Sequence, residues 1–178
     1  MIDQGVWDEI RKGFALPLDG IHGQAHWLRV RDNGLRLSEQ TGADPRLVEL
    51  FAYLHDSKRL TDGRDPDHGR RAAEFVRSLA VVLSLSKLEV ELLSYACAHH
   101  TQGLTEADII VQTCWDADRL DLGRVGIRPN PRLLCTAAAR DPATIEWAYD
   151  RSRRRTGTSN VDSSTHAGGS GGPGAGGT

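Results

Sequence analysis

Apolar residues recur along this chain at three- and four-residue intervals, the period of a helix with one buried face. Val6, Trp7, Ile10 and Phe14 predict a first short helix, interrupted by Pro17, Gly20 and Gly23. Trp27, Val30, Leu35 and Leu37 predict a second over about 22–40, which Gly34 weakens but does not forbid. Gly42 is a stop signal, and Asp44-Pro45 a cap followed by a first-turn proline. A third helix over about 45–57 then places Leu47, Leu50, Phe51 and Leu54 on one face and ends near His55-Asp56. Residues 60–66 are rich in Asp, Gly and Pro and read as a loop. A fourth helix starts near Asp67, and a fifth covers about 86–101 and stops at Gly103. A sixth is expected from a Thr105 cap, with Asp108 completing a capping box, to about Leu122. Two shorter helices are expected near 130–139 and 142–151. Val81-Val82-Leu83 allows a strand, but nothing alternates around it. The expected fold is all-α, a compact helical bundle.

Composition changes this picture only at the C-terminus. Residues 156–178 hold eight of the 19 glycines, and Val161 is their one aliphatic residue larger than alanine. Such a segment buries too little surface to offset its ordering entropy. The expected division is a folded domain over 1–150 and, over 151–178, a basic junction leading into a flexible Gly/Ser-rich tail. Four of the 22 basic groups and one of the 24 acidic groups lie beyond residue 150, so residues 1–150 carry a net charge of −5. That balance argues against a broad nucleic-acid surface and leaves room for a small anionic substrate held by a local positive site or a metal. No apolar run is long enough to span a membrane, and the N-terminus lacks the pattern of a secretory signal. Three cysteines, Cys97, Cys114 and Cys135, read as buried free thiols. The cytoplasm is the expected location. A homo-oligomer is compatible with the sequence and is not specified by it.

The chemistry lies in polar residues that fit poorly into a helical core. Six of the seven histidines fall between residues 22 and 100. His26 stands beside Trp27, and His55-Asp56 closes an apolar helix. Asp116, Asp118 and Asp121 crowd one short run. Buried carboxylates are costly unless paired or bound to metal. Imidazole with carboxylate suits Mn, Fe, Ni, Co or Zn. Taken singly, each of these residues is as readily a core histidine, a chance dipeptide or a solvated acidic face paired with Arg119 and Arg124.

Taken in order, His26, His55-Asp56 and a distant Asp116 resemble the HD-domain metal-dependent phosphohydrolases. The run Asp116-Ala117-Asp118-Arg119-Leu120-Asp121 is similar to the last motif of small bacterial members. The resemblance covers about residues 22–128. It implies an HD-type helical bundle in which His26, His55, Asp56 and Asp116 hold a divalent ion. It also implies hydrolysis of a phosphate ester or anhydride in a small molecule, often a nucleotide. Some branches add histidines for a second ion. His68 with His99 or His100 resembles that pattern, with Asp56 as a bridge. The alternatives for these three are a surface residue, helix-end caps, or (for His100) a leaving-group acid or phosphate contact. The Tyr-Pro signature of the cyclic-dinucleotide phosphodiesterase branch is absent after His99-His100, where the chain reads Thr101-Gln102-Gly103-Leu104.

Lys58, Arg59 and Arg119 are the candidate phosphate-side charges, and Arg29, one helical turn past His26, is a further candidate contact to substrate or to a ligand. Asp118, two residues past Asp116, is a candidate base or a partner of a ligand histidine. His22, four before His26, is a candidate contact to a ligand or substrate. Asp121 reads as structural. Rival functions are a phosphodiesterase or nucleotide pyrophosphatase of the same metal design, and a metal- or nucleotide-binding module without turnover.

Overall fold

The computed structural model describes residues 4–154, which form eight α-helices and two 3-10 turns and, among the described residues, no strand. The expected Gly-rich tail lies outside the described residues. The helices are α1 (Gln4–Gly13), α2 (Gln24–Thr41), α3 (Pro45–Leu54), α4 (His68–Leu79), α5 (Lys87–His99), α6 (Ile109–Arg119), α7 (Ala137–Arg140) and α8 (Pro142–Arg153). None is long and apolar enough to cross a membrane.

Local chemistry sets most of the helix ends. Asp44 accepts from the Arg46 N–H at 2.8 Å and Pro45 opens α3. Gly42 closes α2 at φ 74°, a left-handed conformation that glycine adopts without a Cβ clash. Ser86 and Glu89 form a reciprocal capping box on α5. Helix α3 is the centre of the bundle: Leu47, Val48 and Leu50 through Leu54 are all buried. Burying a side chain such as Phe51 contributes about 2 kcal/mol. Trp7, Phe14, Trp27 and Tyr53 pack edge-on around the α1–α2–α3 junction. A smaller apolar cluster, Leu37, Leu120, Leu134, Ala139, Ile145 and Ala148, seats the C-terminal helices.

Two glycines allow the close helix approaches that the site requires. A Cβ on Gly34 would collide with the Val48 side chain and sit 3.3 Å from Ala117 Cβ, so its absence lets α2 press on α3 and α6. A Cβ on Gly69 would lie 2.6 Å from the Cys97 carbonyl oxygen and 2.9 Å from that of Ala98. That contact brings α4 against the end of α5.

Two expectations need correction. The sixth helix is capped by Asp108, which accepts from the Ile110 N–H at 2.8 Å, not by Thr105, and it ends at Arg119. The expected helix over 130–139 is split into a 3-10 turn (Pro131–Leu133) and α7. Asp116 causes the break: its carboxylate takes the backbone N–H groups of Cys135 (2.7 Å) and Thr136 (2.8 Å), which a continuous helix would pair with its own carbonyls. Val81-Val82-Leu83 lies in a run of turns, with Val81 89% exposed, and is no strand.

Candidate metal centre

Four histidines and two aspartates converge where α2, α3, α4, α5 and α6 meet. His26 Nε2 lies 3.1 Å from His55 Nε2, 3.6 Å from Asp56 Oδ2 and 3.5 Å from Asp118 Oδ1. His55 Nε2 is 3.7 Å from each of the same two carboxylate oxygens. On the other side of Asp56, Oδ1 lies 3.3 Å from His68 Nε2 and 3.5 Å from His100 Nε2, and these two nitrogens are 2.9 Å apart. One carboxylate thus serves two histidine pairs, one with each oxygen.

The second nitrogen of each ring fixes its tautomer. Carbonyl oxygens only accept, so His55 Nδ1 donates to Phe51 O (3.1 Å), His100 Nδ1 to Cys97 O (2.7 Å) and His68 Nδ1 to Asp65 O. His26 Nδ1 donates to Asp121 Oδ2 at 2.7 Å, and Arg29 bonds both oxygens of that carboxylate. Held this way, His26 and His55 turn bare Nε2 lone pairs toward each other and toward two carboxylates, while His68 Nε2 accepts from Arg59 Nη1 at 3.2 Å.

The electrostatics sort the two pairs. Burial, together with the charges of Arg124 and His55, drives the His26 pKa well below the ordinary histidine range. Burial also lowers that of His55. Burial works against ionised Asp56, but His55, His100 and His68 outweigh it and hold its pKa well below the usual carboxylate range. Asp118 is likewise lowered, against burial, by His55, Arg124 and His26. His100 is raised: burial opposes its charge, and the hydrogen bond and charge of Asp56 prevail. His26 and His55 are therefore neutral neighbours with no proton between Nε2 atoms 3.1 Å apart. Asp118 Oδ1, also buried, accepts no hydrogen bond among the described residues. Lone pairs in contact and an orphaned carboxylate oxygen are costly without a cation, so the donor set fits a divalent metal. The groups with ligand-like spacing are His26, His55 and Asp118, and His55, Asp56 and His100.

Of the residues singled out in the sequence, His26, His55, Asp56, His68, His100 and Asp118 meet here. Asp116 does not. It sits on the opposite side of α6, where Cys135 N–H, Thr136 N–H and the Thr136 hydroxyl occupy both its oxygens. Two residues along a helix turn the side chain by about 200°, and Asp118 is the one that faces α2 and α3. His99 also lies outside, packed on Tyr95 and bonded to Gln102. Lys58 points away and places its ammonium over the Phe75 ring at 3.7 Å. Arg119 borders the adjoining cleft, but its guanidinium is committed to the carbonyls of Leu133 and Leu104. His22 bonds Asp62 at 2.8 Å, next to His26 and outside the cluster. Arg29 acts through Asp121. Arg59 reaches inward, with Nη1 3.4 Å from Asp56 Oδ1 and 3.2 Å from His68 Nε2.

Two residues that sequence reasoning did not place here are Asp121 and Arg124. Arg124 Nη1 lies 4.0 Å from Asp118 Oδ1, within ion-pair reach. Asp121 follows Asp118 by three positions, and that spacing was a readable signal for a shared face.

Beside the cluster opens a cleft of about 340 Å³. Asp56, Arg59, His100, Asp118 and Arg124 form its polar end, and Leu122, Ile127, Pro129, Leu133 and Leu134 an apolar wall.

A helical bundle that gathers buried His and Asp side chains from five helices defines a helical domain with a donor set suited to a metal ion. Residues 24–123, more than half of the chain, match the HD domain family model, and the chain belongs to that family. HD domains are in general metal-dependent phosphohydrolases. No curated protein and no solved structure matches the chain.

Proposed function

We propose that this protein is a metal-dependent phosphohydrolase acting on a small phosphorylated molecule, a nucleotide by preference. The carrying observation is the 3.1 Å approach of the His26 and His55 Nε2 atoms beside the orphaned Asp118 Oδ1. In this reading His26, His55, Asp56 Oδ2 and Asp118 hold the ion, of the Mn, Fe, Ni, Co or Zn class. Such an ion supplies an acidified water and neutralises charge on phosphoryl oxygens. The chain's own groups do the rest. Asp121 and the Phe51 carbonyl hold the ligand rings in register. Arg59 and Arg124 present positive charge at the mouth of the cluster, where phosphoryl oxygens are to be oriented. His100 carries a proton at Nε2 for a leaving oxygen. The apolar wall suits the non-phosphate part of the substrate, and about 340 Å³ suits a mononucleotide better than a polymer.

A second ion is favoured by one observation: Asp56 Oδ1 faces His68 and His100 as Oδ2 faces His26 and His55. In that reading His100 is a ligand and not an acid. The buried free thiols Cys97, Cys114 and Cys135 accord with a reducing compartment such as the cytoplasm.

The test is metal analysis of protein purified without chelators, followed by a phosphate-release screen over nucleotides and simple esters with added Mn. One equivalent of metal supports the single-ion site and two the bridged one. Release in the wild type and none in His55→Ala supports the reading. Stoichiometric nucleotide binding without release identifies a non-catalytic module instead.

A further inference from the structure

We propose that a second, basic cavity binds a small multiply charged anion of the di- or triphosphate class, at a site separate from the substrate cleft. The cavity has a volume of about 600 Å³ and is bordered by Arg29, Arg124, Arg153 and Arg154, against one acid, Asp19. It lies where the 3-10 turn Leu122–Val125 meets the end of α8. Gly123 makes that meeting possible: a Cβ there would collide with the Ser152 hydroxyl.

The positive charge in this wall is incompletely neutralised. Arg29 spends Nε and Nη2 on Asp121. Arg124 spends Nε on the Ile21 carbonyl (3.1 Å) and Nη1 on the Asp121 carbonyl (3.2 Å), and Nη1 also lies 3.9 Å from Asp121 Oδ2, the carboxylate it shares with Arg29, and 4.0 Å from Asp118 Oδ1. This leaves Arg29 Nη1 and Arg124 Nη2 without a hydrogen-bond acceptor among the described residues. Arg153 stacks its guanidinium 5.5 Å from the Tyr149 ring centre, and neither it nor Arg154 meets an acid among the described residues. Two inner guanidiniums held rigid by other bonds, and two outer ones on one helix end, present fixed and adaptable donors across a space wide enough for several phosphoryl groups. A neutral or cationic ligand gains nothing from such a wall. An anion with separated charges engages both rows. Arg124 also borders the substrate cleft, and Arg29 reaches His26 through Asp121, so an occupant bonded to Arg29 sits three hydrogen bonds from His26.

Inorganic pyrophosphate is the probe, titrated calorimetrically into the full chain after chelator treatment, so that neither turnover nor metal chelation contributes. Saturable one-to-one binding is expected. Arg153→Ala with Arg154→Ala should weaken it by about tenfold or more, while Arg59→Ala, at the substrate cleft, leaves it within about twofold. Both arginines are exposed, so unchanged circular dichroism is expected; if the pair disturbs folding, Arg154→Glu alone serves the same comparison. No heat of binding at millimolar pyrophosphate overturns the proposal. So does equal affinity in the Arg153/Arg154 variant, or loss of binding on Arg59→Ala. Because the assay is metal-free and without turnover, failure of the phosphohydrolase reading would not alter its outcome.

Discussion

Asp116 and Asp118, two positions apart on α6, divide structure and chemistry between them: Asp116 clasps the backbone at Cys135 and Thr136, and Asp118 faces His26 and His55. Their asparagine variants should separate cleanly. Asp118→Asn is expected to lower bound metal by more than about tenfold with the fold retained. Asp116→Asn should keep metal stoichiometry and lose about 1–3 kcal/mol of stability, because its amide cannot accept all three hydrogen bonds. Elemental analysis and urea unfolding of the two proteins check this. Metal loss confined to Asp116→Asn would reverse the assignment.

Asp121 orients His26 through Nδ1 while Arg29 neutralises it. Replacing it with Asn should reduce metal affinity by about 10–100-fold, since the ring loses its charged acceptor. Competition with a calibrated chelator measures the change, and an affinity equal to wild type would show that His26 needs no such support.

Gly34 sets the separation of α2 from α3 and α6. Gly34→Ala improves intrinsic helix propensity by about 1 kcal/mol, yet the methyl meets Val48 and Ala117, and net destabilisation of about 1–3 kcal/mol is expected. Metal affinity should fall with it, because His26 and Asp118 ride on the helices being pushed apart. Thermal unfolding with and without metal reads both effects, and a stabilised variant would refute the packing account.

Asp65 ties the loop before α4 to Arg71 and to the Leu60 N–H at 2.9 Å. Burial pushes its pKa up, but the Arg71 hydrogen bond and charge outweigh this and leave it below the ordinary value. A carboxyl depressed in the folded state contributes stability that is present above its unfolded pKa of about 4 and lost as pH falls through the folded value. Asp65→Asn should therefore flatten the fall in stability below about pH 4. Chemical denaturation at several pH values tests it, and an unchanged acid slope would exclude Asp65 as a source.

The helices were legible because their buried faces repeat at helical spacing and their caps are short-range: Asp44-Pro45 and Ser86 with Glu89 announce themselves locally. The break at Cys135-Thr136 was not, because it is imposed by Asp116 from 19 and 20 residues away. His26, His55 and Asp56 could be read from residue type and order. The choice between Asp116 and Asp118 depends on the rotation of α6 against its neighbours, which spacing along one helix leaves free. Lys58 lies near the site in sequence but is drawn to Phe75 and away from the cluster. Arg124 reaches the cluster only because the 3-10 turn folds back, a feature without a periodic signature.

The latch at Asp116 also ties the cleft wall to the cluster. The apolar wall of the cleft includes Leu133 and Leu134, immediately before the segment that Asp116 grips. A small roll of α6 about its own axis would withdraw Asp118 from the histidines and drag that wall with it. In the proposed reaction, substrate fit and metal geometry would share that one mechanical coordinate.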